Sequence, residues 1–118
     1  DTDTREALAY AIEQRLFGRK QKGFELLVDM LARHKLAKWA LVSVVPFYFA
    51  PRKEAFVEPT TAKGVLKLLE VEDLKYHSTP TWAFYKGYRD LLDAVRKQVD
   101  PALSPNNAAL SGFLMMQF

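Results

Sequence analysis

The sequence predicts a mainly α fold: a compact single-domain bundle of five or six short helices with one extended, proline-bracketed connection. Three observations predict it. Apolar side chains recur every three or four residues in most stretches, the period of an amphipathic helix rather than of a strand. Thr-Pro and Ser-Pro pairs stand where helices would start, since proline's missing N–H is harmless at the first helical position. A length of 118 residues with 49% hydrophobic and 26% charged residues suits a single core, and 13% aromatics is too rich for a disordered tail. The domain is expected to cover residues 1–118 and, because the chain opens on Asp1 rather than methionine, to be trimmed, processed or cut from a longer protein.

Each element has its own signal. Leu8, Ile12 and Leu16 recur every fourth position between Thr4 and Phe17, and Asp3 with Glu6 makes a variant capping box, so a first helix is expected to stop at Gly18. GRKQKG, residues 18–23, reads as a basic linker with a glycine at each end. Phe24, Leu27, Val28 and Leu31 form the buried stripe of a second helix, which His34 continues at the rim of the core. Residues 36–49 are apolar nearly all round. Pro46 is disfavoured in a central strand and pushes Val45 away from the α region, which predicts a buried helix over 37–45 and a kinked or extended PFYFAP after it.

Pro51 and Pro59 bracket the extended connection RKEAFVE, with Phe56 and Val57 plugging the core. Thr60 or Thr61 is the expected cap of a fourth helix with the stripe Val65, Leu68 and Leu69. Thr79 is the expected cap of a fifth, with Pro80 at its first position and Asp100-Pro101 stopping it. Projected at about 100° per residue, this helix puts Phe84, Tyr88, Leu91, Leu92, Val95 and Val99 on one face and Trp82 and Tyr85 at its edge. Ser104-Pro105 repeats the start signal, and Leu110, Phe113 and Leu114 face inward from a sixth helix.

Several functions are set aside by what the chain lacks. Without cysteine there is no disulfide, thiolate zinc site or cysteine nucleophile, which favours a cytoplasmic setting. The longest apolar run, residues 40–50, is about half the roughly 20 residues that cross a bilayer, so no membrane association is expected. His34 and His77 have no partner at metal-ligand spacing, and the five glycines form no phosphate-cradling loop. Neither a metal nor another cofactor is expected. The stretch LARHKLAKWALVSVV is too apolar after Lys38 for a recognition helix that reads base edges.

Charge carries the strongest functional signal. The net charge is only +3, yet residues 15–53 hold Arg15, Arg19, Lys20, Lys22, Arg33, Lys35, Lys38, Arg52 and Lys53 against only Glu25 and Asp29. A positive lobe attracts phosphate backbones, so the first expectation is a non-enzymatic helical module that associates with nucleic acid through these nine residues. They are expected in two separate patches, because the start and end of the second helix lie roughly 20 Å apart at 1.5 Å per residue.

Three further sites are candidates. Tyr76, His77, Trp82 and Tyr85 cluster near a helix start, where free N–H groups meet anions, and form a candidate pocket wall for a base or phosphate. The apolar end carrying Phe113, Leu114, Met115, Met116 and Phe118 suits a protein partner or a second copy of the chain, the alternative functional reading being an interaction or oligomerisation domain. Asp73-Leu74-Lys75, with Glu58 as a second acid, is the remaining enzymatic alternative, a metal-dependent nuclease.

Overall fold

The computed structural model describes residues 2–98, and within them the chain is helical without a strand. Five helices follow one another: α1 (Thr2–Phe17), α2 (Lys20–Arg33), α3 (Trp39–Phe49), α4 (Pro59–Leu68) and α5 (Trp82–Arg96). The mainly α expectation holds, and the sixth helix expected after Ser104 lies outside the described residues.

α1 is already under way at Asp3, so Asp3 sits in the first turn and not at the cap. α2 starts four residues earlier than its apolar stripe implies. Lys20, Gln21 and Lys22 are good helix formers and join it, leaving only Gly18 and Arg19 between the two helices. Gly23 is a contact point rather than a linker end. It is buried where α1 and α2 cross, and a Cβ there would stand 2.2 Å from the Arg15 backbone nitrogen. The helices therefore touch backbone to backbone at this point.

α2 ends in a Schellman motif. The Leu36 N–H donates to the Leu31 carbonyl at 2.7 Å and the Lys35 N–H to the Ala32 carbonyl at 3.0 Å, with Lys35 at φ 58° where glycine is usual. His34, expected at the rim of the core, is an exposed C-cap residue. α4 ends the same way: Val71 donates to Leu66 at 3.0 Å, Glu70 to Lys67 at 3.2 Å, and Glu70 lies at φ 54°.

α3 corrects two expectations. It runs through Pro46 to Phe49, and PFYFAP does not leave it as an extended stretch. The backbone bond lost at proline is offset by burial, because Pro46 lies on the same face as Trp39, Val42 and Ser43, spaced i, i+3, i+4, i+7 into the core. Nor is the helix buried all round. Leu41, Val44, Val45, Tyr48 and Phe49 form a second apolar stripe that faces outward.

The connection from residue 50 to residue 58 turns at Pro51–Lys53 and then runs extended through the middle of the molecule. Ala55 and Val57 are fully buried, while Phe56 is half-buried against Phe47. Its backbone is held by side chains: Ser43 Oγ accepts from the Val57 N–H at 2.9 Å and donates to the Trp39 carbonyl at 2.7 Å. Glu58, not a threonine, caps α4. Its carboxylate accepts from the Thr60 and Thr61 N–H groups at 3.2 and 2.8 Å, with Pro59 at the first helical position.

α5 begins two residues later than expected, because Thr81 rather than Thr79 accepts the Phe84 N–H, at 3.3 Å. Phe84, Tyr85, Tyr88 and Leu92 are its buried residues. The core formed around them includes Phe24, Trp39, Val42, Val57 and Val65, so α5 shares a core with α2, α3, α4 and the connection between α3 and α4. Trp39 Nε1 donates to the His77 carbonyl at 2.6 Å and ties the start of α3 to the segment before α5.

Candidate functional site

The site is organised by a buried ion pair. Arg15, on the inner face of α1, is 1% exposed, and its guanidinium donates to both oxygens of Glu54 at 2.6 and 3.3 Å. Tyr85 Oη completes the hub: it donates to Glu54 Oε1 at 2.5 Å and accepts the Ala55 N–H at 3.0 Å. Burial pushes the Glu54 carboxyl up, but the bonds from Arg15 and Tyr85 and the charges of Arg15 and Lys20 together outweigh it and hold the group below its ordinary range. Burial, followed by the Glu54 charge, pushes the Tyr85 hydroxyl far above its ordinary value. At neutral pH the hub is therefore a carboxylate, a guanidinium and a neutral phenol.

Arg15 is thus removed from the set of phosphate-binding candidates. Its charge is spent inside the protein, where the Trp82 and Tyr85 rings lie 5.6 and 5.1 Å from the guanidinium carbon. Arg89 approaches the same two rings, at 5.7 Å from each.

The hub also sets where the other cations lie. Pairing Arg15 with Glu54 brings the end of α1 beside the turn at residues 51–53, so Arg19 and Lys20 share one end of the molecule with Arg52 and Lys53. Lys20 Nζ stands 4.0 Å from Glu54 Oε2, and Arg96 from α5 donates to the Arg52 carbonyl at 3.2 Å. Three exposed rings occupy the same end. Phe17 closes α1 and Phe49 closes α3, meeting edge to face at 5.1 Å, and Tyr48 precedes Phe49 in the last turn of α3. Phe17 is 70% exposed, Phe49 56% and Tyr48 88%.

The remaining candidates divide between two places. Lys22 is turned toward α1, with its Nζ 3.2 Å from Tyr10 Oη. Arg33, Lys35 and Lys38 are all exposed around the turn from α2 to α3. They lie at the far end of α2 from Lys20, about 20 Å along the axis, so the cations form two groups. α3 links them, since Lys38 is its N-cap and Arg52 and Lys53 follow its C-terminus.

Tyr76, His77, Trp82 and Tyr85 do not wall a common pocket. Tyr85 is fully buried in the hub, and Trp82 stacks on it at 5.7 Å. Tyr76 packs edge to face on Phe84 at 5.6 Å, and His77 is exposed. A cleft of about 700 Å³ opens between residues 72–79 and the start of α5, lined by His77 and Phe84 but by none of the other three. Helical projection placed Tyr85 at the edge of the core face. It turns inward because Glu54, which the projection cannot see, supplies a buried partner for its hydroxyl.

The nuclease alternative needs Glu58 beside Asp73. Glu58 is committed to the N-terminus of α4, and among the described residues no three histidine, aspartate or glutamate side chains come together as a metal site. Phe113, Leu114, Met115, Met116 and Phe118 lie outside the described residues. Among the described residues no helix is long and apolar enough to cross a membrane. Comparison of the chain with protein-family models, with curated proteins and with solved structures finds no match.

Proposed function

We propose that the protein is a non-enzymatic helical module that associates with nucleic acid through two cationic groups, Arg19, Lys20, Arg52 and Lys53 at one end of α3 and Arg33, Lys35 and Lys38 at the other. One observation carries the reading. Between Asp29 and Glu54 the chain has no acidic residue, and Glu54 itself is buried against Arg15, so the cations at residues 52 and 53 face solvent without a neighbouring acid in sequence to neutralise them. Cations arranged in this way neutralise phosphates and release their counterions, which makes binding fall steeply with salt.

The test is binding of a fluorescent 20-nucleotide probe measured over a salt series. Association at low salt that weakens with added salt, and that is lost in a Lys20→Glu/Arg52→Glu/Lys53→Glu variant, supports the reading. No association at low salt overturns it.

A second reading is favoured by a different observation, the outward stripe Leu41, Val44 and Val45 on α3. A helix that is apolar on both faces usually has both covered, which suits an interaction domain whose outer face pairs with a second copy of the chain. Sedimentation that shows a monomer at high concentration, unchanged by Val45→Glu, would remove it.

A further inference from the structure

We infer that the nucleic acid taken by this protein is single-stranded, with bases stacking on the rings of Phe17, Tyr48 and Phe49 while the neighbouring cations hold the phosphates. The inference rests on the reading above and narrows it. Cations alone do not distinguish a duplex from a single strand, because both present phosphates. Exposed rings do. In a duplex the base faces are closed against one another, whereas an unpaired strand offers each face to an aromatic side chain.

Three features of the cationic end point this way. A scattered apolar residue on a surface is ordinary, but Phe17 and Phe49 come from two different helices and meet edge to face, and Tyr48 is exposed in the same last turn of α3 as Phe49. Tyr48, at 88% exposed, contributes little to the core, so its position is not explained by packing. The rings also have cations close by on the chain: Phe17 precedes Arg19 and Lys20, and Phe49 precedes Arg52 and Lys53. A cationic surface carrying stackable rings is the arrangement that holds single strands with little regard to sequence.

The test compares three probes with the full chain at one fixed low salt concentration: an unstructured 20-nucleotide deoxythymidine strand, an unstructured 20-nucleotide RNA and a 20-base-pair duplex. The expected result is single strands bound at least about tenfold more tightly than the duplex, with Tyr48→Ala weakening single-strand binding by roughly tenfold and leaving duplex binding unchanged. A matched thermal unfolding curve shows that this variant is folded, and Phe17→Leu, which keeps an apolar side chain but removes the ring, provides the second variant. Equal binding of duplex and single strand, indifferent to both ring variants but lost on reversing Lys20, Arg52 and Lys53, would overturn the inference and leave the nucleic-acid reading intact. Failure of all three probes to bind would overturn both.

Discussion

Arg15 shows how far a residue's charge is from being its role. By composition it belongs with eight other cations; in the fold it is the partner of Glu54, 39 positions away. Removing one member of such a pair leaves a charge buried without its counterion, so Arg15→Met or Glu54→Leu alone is expected to cost about 3–5 kcal/mol, read as a lower urea midpoint. The double replacement is expected to cost much less than the two singles together. The pair also sets a pH window. Glu54 has a lowered pKa in the folded state, so its contribution is fully present above its ordinary value of 4.5 and is lost as pH falls below it. Tyr85 has a raised pKa, so its contribution is fully present below its ordinary value of 10 and is lost as pH climbs above it. Unfolding free energy measured against pH should fall at both ends, and the acid limb should flatten in Glu54→Gln. Glu70 offers a change in the opposite direction. Its φ of 54° is unfavourable for a side chain with a Cβ, and Glu70→Gly is expected to stabilise by about 0.5–1 kcal/mol in the same unfolding measurement.

At the scale of elements, apolar periodicity is a sound guide to which stretches become helices and a poor guide to where they begin. The stripe Phe24–Leu27–Val28–Leu31 identifies α2, but a stripe cannot register Lys20, Gln21 and Lys22, which extend the helix without burying anything. By sequence Gly23 reads as the end of a basic linker. It is needed instead for the close crossing of α1 over α2, a contact between segments that no local rule contains. Gly23→Ala is accordingly expected to lower stability by about 1–3 kcal/mol, because the added methyl meets backbone that has no rotamer with which to yield. Thermal melts of this variant beside Gly87→Ala would check the argument. At Gly87 a Cβ meets only the end of the Leu74 side chain, which can move, so the second substitution should cost less. α3 makes the same point about faces. Its apolar content predicts burial, yet an isolated stretch of sequence does not say how many neighbours the fold will supply, and only one of its sides receives them.

Over the whole molecule, the proposed binding depends on which distant segments share an end. The two cationic groups sit at opposite ends of α3, so reversing Arg33, Lys35 and Lys38 to glutamate should weaken nucleic-acid binding and reduce its dependence on salt, but by less than reversing the ring-bearing end. Each phosphate contact removed should lower the slope of log K against log salt by about 0.7 on a single strand. By itself the sequence determined the helical class, the approximate places of the five described helices, the inward faces of Phe84 and Tyr88, and the distance between the cations at the two ends of α2, because these follow from spacing along one chain at a known rise per residue. Only the tertiary structure decided that Arg15 is buried, that Tyr85 belongs to the core, and that Arg52 and Lys53 stand with Arg19 and Lys20 beside three exposed rings. Those outcomes turn on the hydrogen bonds from Arg15 and Tyr85 to Glu54, and a contact between residues so far apart in sequence leaves no periodic trace in it.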